Sequence, residues 1–279
     1  MAYYNIRGNQ FYYLEQNAHL EETILLIHGH PFDHTMWKYQ HKSLQQFRLI
    51  MPDLQGYGKS SFSCESKIFI EEQALNLVLL LDGVQVDRVH LIGLSMGGQI
   101  ALEFARLFPH RSQSLVLCAC DPSAETSLSY EARLQQANLV EEIGMKAYTK
   151  SAIEQFLHPA TLQGQPCVYQ HLYQMMAGTR TAVAAASHRG RAERRDNFQF
   201  LSSLCLPVLV ISGEQDIFTP MQQMQRISQR IPKARLEIIP GTGHLPNMEQ
   251  AKVFNEALIR FYQSLRIHSG SPLSKDMFH

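Results

Sequence analysis

Three residues whose types together perform acyl transfer stand far apart along the chain: Ser95, Asp216 and His244. Ser95 lies in "GLSMGG", a Gly-x-Ser-x-Gly pattern between an apolar run, Val89 to Ile92, and residues at helical spacing, Ile100, Ala101, Phe104 and Ala105. A serine at such a strand-to-helix junction is a nucleophile elbow. Its glycines let the backbone turn tightly enough to lift the hydroxyl above the strand's carboxyl end. Bulk at Gly93 or Gly97 would strike the adjoining helix and strand. The helix that follows aims its first N–H groups at the same spot, where negative charge develops during attack on a carbonyl.

A serine hydroxyl is a weak nucleophile until a base takes its proton, and the base needs an acid to orient it. Among thirteen histidines, His244 in "IIPGTGHLPN" follows a strand and precedes a helix expected to start near Pro246. That glycine-rich loop belongs to the same sheet edge as Ser95. His158, His171 and His188 fall in a helical stretch and read as surface or lid residues, and His41 and His110 as solvated helix ends. For the acid, "VLVISGEQDIFTP" delivers Asp216 to that edge. Asp121 in "LVLCACDP" is the rival, Glu214 a weaker third choice, and the losing carboxylate a turn or cap residue.

Acyl transfer also needs donors for the oxyanion. "LLIHGHPFDHTMW" ends a buried strand in His28-Gly29-His30-Pro31, and Gly29 lets the backbone bend over the sheet edge. The N–H of His30 and the N–H of Met96 are the expected pair. The His28 imidazole reads as a structural tie for the loop, and the His30 side chain as a pocket wall rather than a second base.

These residues require elements to carry them. "YYNIRGNQFYYLEQ" alternates around a Gly-Asn pair and predicts an opening hairpin. Apolar runs at 23–29, 47–53, 89–93 and 114–121 read as strands, with helices between them at 35–46 and 70–82. That alternation implies parallel strands with crossover helices on both faces. From Pro122 to about Ser203 no strand-like run appears, and apolar residues keep helical spacing, so an inserted lid is expected. Strands resume at 206–213 and 234–241. A final helix from about Asn247 to Leu265 precedes a loose tail, "HSGSPLSKDMFH". The expected organisation is a core of 1–122 and 204–279 interrupted by a helical cap, 123–203.

The chain has 279 residues, 45% hydrophobic and 18% charged, enough for a packed core in one domain. Lysine plus arginine equals aspartate plus glutamate, 25 each, so nothing argues for a nucleic-acid or membrane surface, and neither partner is expected. Five scattered cysteines without a CxxC pair fit reduced thiols. The opening residues have no basic segment followed by an apolar one, and no apolar run is long enough to cross a bilayer. A cytoplasmic location is the expectation. "SHRGRAERRD" (187–196) is the one basic cluster, with Arg189, Arg191, Arg194 and Arg195. It reads either as an anionic-substrate clamp or, as preferred here, as a solvated helix end laced by salt bridges. Tyr173, Met175 and Met176 suit either a pocket roof or packing of the lid.

Taken together, "HGHP…W", "MPDLQGYGKSS", "GLSMGG", "GEQDIFTP" and "GTGHLPNMEQ" resemble the α/β-hydrolase superfamily over nearly the whole chain. The order Ser95, Asp216, His244 matches that family's Ser…Asp…His order. The resemblance implies an α/β fold with a mostly parallel eight-stranded sheet, helices on both faces and an inserted helical lid. It also implies that Asp53, in the "PDLxGxGxS" loop, is mainly structural. Within the superfamily the motifs are most similar to small-molecule esterases, enol-lactonases and cofactor-free haloperoxidase-like enzymes. Dehalogenases and epoxide hydrolases of the family attack with a carboxylate at the elbow, where this chain has Ser95. The expected activity is hydrolysis of a small carboxylic ester or lactone through an acyl-enzyme, with neither metal nor cofactor. Cleavage of a C–C bond in a β-diketone-like metabolite is the alternative. A ligand-sensing protein on a hydrolase scaffold is the reading from another class.

Overall fold

The computed structural model describes residues 2–269, so the tail beyond Ser269 lies outside the described residues. The first hairpin joins β1 (Ala2–Ile6) to β2 (Asn9–Gln16). Its turn is Arg7-Gly8, at φ 51° and 84°, one residue before the Gly-Asn pair. Both φ values are positive, as a two-residue hairpin turn matching strand twist requires. Then follow β3 (Thr23–Ile27), β4 (Arg48–Pro52), α1 (Ile70–Gly83), β5 (Val89–Leu94), α2 (Met96–Leu107) and β6 (Ser112–Cys118). The helical block comprises α3 (Ser127–Ala152), α4 (Pro159–Gly164), α5 (Pro166–Gly178) and α6 (Thr181–Ala192). The chain closes with β7 (Val208–Gly213), α7 (Met221–Arg230), β8 (Ala234–Ile239), α8 (Pro246–Glu249) and α9 (Ala251–Ser269).

The eight strands form one sheet in the order β1-β2-β4-β3-β5-β6-β7-β8. Pairing is antiparallel at β1–β2 and β2–β4 and parallel across the rest. The central strands are buried on both faces, which explains their continuous apolar runs. Leu25 and Ile27 of β3 belong to one buried cluster with Leu77 of α1, Ile100 of α2 and Ile227 of α7. Ile24 and Leu26 pack on the opposite face with Trp37 and with Phe254 and Leu258 of α9.

Two expected helices differ from the structure. Residues 35–46 form no α-helix: a 3-10 turn at His34–Trp37 passes into further turns. Their backbone bonds run mostly to the third residue back, as from Gln40 to Trp37. The buried Gln40 amide donates instead across the fold, to Asn247 O and Asn255 Oδ1, and these tertiary bonds override the helical periodicity. The final helix breaks at Gln250, at φ −129° and ψ 56°. Just before the break, the Glu249 carboxylate accepts the backbone N–H groups of Gly243 and His158. A one-residue break divides the helix that was expected to run uninterrupted into α8 and α9.

Candidate active site

β5 ends at Leu94, and Ser95 turns the chain into α2 at φ 56°, ψ −118°. Few non-glycine residues adopt that conformation, and holding one there costs roughly 1–3 kcal/mol unless its surroundings impose it. They do so through backbone contacts. A Cβ on Gly93 would lie 2.2 Å from Gly97 O, and one on Gly97 would lie 2.1 Å from Ile27 O and 2.6 Å from His28 O. The start of α2 therefore rests directly on the ends of β3 and β5. Ser95 N–H donates to Cys118 O of β6 at 2.8 Å, which ties the corner to a third strand.

The loop after β7 carries Asp216 and the loop after β8 carries His244, both buried. His244 Nδ1 lies 2.8 Å from Asp216 Oδ2. The Asp216 carboxylate also accepts the N–H groups of Phe218 and Thr219 and the Thr219 hydroxyl. Burial alone would raise the Asp216 pKa. The neighbouring His244 charge and the hydrogen bonds from His244, Thr219 and Phe218 outweigh burial and leave it lowered. Phe218 and Phe156 pack on the His244 ring, at 5.0 and 5.7 Å between centroids. His244 N–H donates to Phe156 O, from a 3-10 turn after α3, so the helical block braces this loop.

Ser95, Asp121, His244 and His30 all face one cavity of about 900 Å³, at the upper end of the usual size for a small-molecule site. Asp121 does not pair with His244 among the described residues. Its Oδ1 accepts Ser123 N–H and its carbonyl accepts the Gln99 amide, an Asx-type turn. Glu214 is exposed and accepts Gly241 N–H. Neither His30 N–H nor Met96 N–H donates to a protein acceptor among the described residues. The His28 ring bridges Gly29 O and Leu54 N–H, tying down the loop. Asp53 is fully buried and accepts Lys59 N–H from its own loop and His34 N–H and Nδ1–H from the turn after β3, tying the two loops together.

The comparisons with known proteins bear on this geometry. Residues 22–251 match the family described as alpha/beta hydrolase fold. The chain belongs to that family. As an alpha/beta hydrolase it is similar to a thermophilic esterase from Thermogutta terrifontis, solved with malate bound: 30% identity, 93% of this chain and 96% of that one, TM-score 0.88. A putative carbamate hydrolase from Variovorax paradoxus is 29% identical over 86% of this chain and 91% of its own length. 3-Oxoadipate enol-lactonase 2 from Acinetobacter baylyi is 27% identical over 80% and 82%.

The basic cluster requires correction. Arg195 is exposed, and Arg189 is half-buried and pairs with Glu141 at the helix end. Arg191 and Arg194 are buried and line the cavity. The reason is the α6 register: a Cβ on Gly190 would lie 1.9 Å from Ile68 O, so the helix sits flush on the core and turns these side chains inward. His188 likewise is buried, its Nε2 3.2 Å from His30 Nε2, and is no surface residue. Burial leads the causes that hold both imidazoles well below their usual pKa, followed by neighbouring positive groups that include Arg191. Met175 and Met176 pack in the core with Phe32 and Phe156. The sequence carries no mark of the inward placement of Arg133 of α3 or of the role of Glu249. Helical spacing on a partly charged helix leaves no signal that marks one arginine as inward.

Proposed function

We propose that this hydrolase cleaves a small carboxylic ester or lactone through an acyl-enzyme on Ser95. The observation that carries the reading is the 2.8 Å contact between His244 Nδ1 and Asp216 Oδ2 on a cavity that Ser95 also faces. Asp216 accepts Nδ1–H, which leaves Nε2 free to take the serine proton. Ser95 Oγ attacks the carbonyl carbon. The oxygen gains negative charge, received by the N–H groups of His30 and Met96, and His244 returns the proton to the leaving alcohol. Water, deprotonated by His244, then hydrolyses the acyl-enzyme and restores Ser95. Residues 123–203 form the cap over a core of 1–122 and 204–279. The five cysteines, all free, suit a reducing cytoplasm, and no helix among the described residues is long and apolar enough to cross a membrane.

The test is turnover of p-nitrophenyl butyrate, with labelling by a serine-directed phosphonate. Stoichiometric labelling at Ser95 with loss of activity is the expected result. Full activity after labelling, or label on another residue, would sink the acyl-enzyme. Turnover of β-diketones without ester hydrolysis would favour C–C cleavage instead.

A further inference from the structure

The acyl-transfer reading leaves one charged wall of the cavity without a task. Arg191 is only 8% exposed, yet lines the cavity with Ser95 and His244. Its Nε donates to Gln99 Oε1 at 3.3 Å, a long bond to a neutral amide. Among the described residues no carboxylate pairs with its guanidinium, and its two terminal amino groups have no protein acceptor. The nearby carboxylates are engaged. Glu125 is shared by Arg133 and Arg194, and Asp121 is turned onto Ser123 N–H. Burial would raise the Glu125 pKa, but Arg133, Ser129 and Arg194 bring it down to about 2. Arg133 and Arg194 thus share one carboxylate, and Arg191, buried beside them, pairs with none among the described residues.

A buried guanidinium without a counter-ion is costly, and a packed apolar side chain would stabilise the same position better. Burial, then the charges of Arg133 and Arg194, draw the Arg191 pKa well below its usual value. Arginine nonetheless stays protonated in proteins. The charge is also held rigidly. Gly190 seats α6 on the Ile68 backbone, and the preceding turn anchors itself to the nucleophile's helix through Ser187 Oγ, which donates to Met96 Sδ at 3.3 Å. Gln99 N–H donates to Ser95 O at 3.2 Å, so the two residues stand about one helical turn apart, and both line the cavity. The guanidinium held by Gln99 therefore lies a short substrate's length from the serine.

We infer that Arg191 is the specificity-determining residue of the cavity and binds a free carboxylate of the substrate, so that the substrate is the half-ester, or the carboxylate-bearing lactone, of a short diacid. A carboxylate matches the unfilled pair of amino groups on Arg191 as a two-point hydrogen-bonding partner. This inference rests on Ser95 as nucleophile for its kinetic arm, but not for its binding arm.

The kinetic arm compares monomethyl glutarate with methyl 5-oxohexanoate, in which an acetyl group replaces the carboxylate. The unsubstituted enzyme should prefer the anionic ester by about a hundredfold in kcat/KM, chiefly through KM. Arg191→Gln should bring that ratio to about one or below, and Arg191→Lys should keep part of the preference. The binding arm titrates glutarate into Ser95→Ala and into the Ser95→Ala, Arg191→Gln double variant by calorimetry. Circular dichroism verifies folding, and the lysine variant serves if the glutamine variant does not fold. Binding to the first and none to the second is expected. Equal use of both esters, a preference untouched by Arg191→Gln, or no binding of glutarate to Ser95→Ala would each overturn the inference. Arg191-dependent binding without ester turnover would uphold the anion site and instead defeat the ester reading.

Discussion

The corner that carries Ser95 and the helical block that faces it are held in place by different physics. At the corner, backbone presses on backbone: added Cβ atoms at Gly93 and Gly97 would sit 2.2 and 2.1 Å from backbone oxygens, and one at Gly98 would sit 2.6 Å from the Cys120 side chain. In the helical block, Gly144, Gly164 and Gly178 meet nothing within 4 Å. There α3 kinks at Gly144, φ 73°, exposes Leu128, Leu139 and Ile143, and is anchored through the ion pairs of Glu125 with Arg133 and Arg194. Only α6 shares the corner's manner of packing. On the proposed reading, chemistry that tolerates little displacement is built where sterics allow one arrangement, and substrate selection where side chains make the contacts.

The largest expected effect is at the corner. Ser95→Ala should lower ester turnover on the order of 10⁶-fold, the scale seen when members of a triad act as one unit. Because alanine adopts the same backbone region at a similar cost, thermal unfolding should change little. Retention of a tenth of the activity in a clean preparation would refute the nucleophile. Next come the two acids. Asp216→Asn should reduce turnover by about three to four orders of magnitude, because an amide favours the wrong imidazole tautomer. Asp121→Asn should cost less than about tenfold, since its carboxylate closes a turn through bonds worth on the order of 1 kcal/mol. A reversal of the two severities would exchange their roles.

The same contrast separates what the sequence made legible from what it did not. Alternating strands and helices follow from local periodicity, so the parallel sheet and the uninterrupted helical stretch between β6 and β7 could be read directly. The loops at the strand ends could be read as well, because Gly93, Gly97 and Gly29 mark the close approaches there. The segment 35–46 could not, since Gln40 bonds to Asn247 and Asn255 more than two hundred residues away. Nor could the break at Gln250, beside a Glu249 carboxylate that bonds the N–H groups of Gly243 and Leu245 in the His244 loop. The burial of Arg191 escaped notice because charge composition predicts solvation, whereas the packing of Gly190 on Ile68 decides the direction.

The two regions should also differ in how they tolerate added bulk. Gly97→Ala should destabilise the fold by about 3 kcal/mol or more or prevent folding, as overpacking against backbone leaves nothing able to move aside. Gly164→Ala, in α4, should be neutral or stabilise by up to about 1 kcal/mol, by removing backbone entropy from the unfolded chain. Chemical denaturation measures both. Similar losses at the two sites would mean that the corner is no more tightly constrained than the cap.

The smallest expected effect concerns acid. The folded pKa of Glu125, about 2, lies below its ordinary value of 4.5. A depressed carboxylate contributes stability that is fully present above the unfolded value and is lost as pH falls through the folded one. The ion pairs that anchor α3 should therefore weaken between about pH 4.5 and pH 2, while the steric contacts at Gly93 and Gly97 do not titrate. Asp216, also lowered, acts in the same direction near His244, so global unfolding in acid does not separate the two regions. Local exchange does. Amide hydrogen exchange at α3 should accelerate on going from pH 5 to pH 3, after correction for intrinsic rates, ahead of exchange at β5 and α2. In Glu125→Gln that acid step at α3 should disappear and its exchange should already be faster at pH 7, because two arginines lose their shared counter-ion. If β5 and α2 open together with α3 across that range, the cap and the corner form one cooperative unit, and the division between them is geometric only.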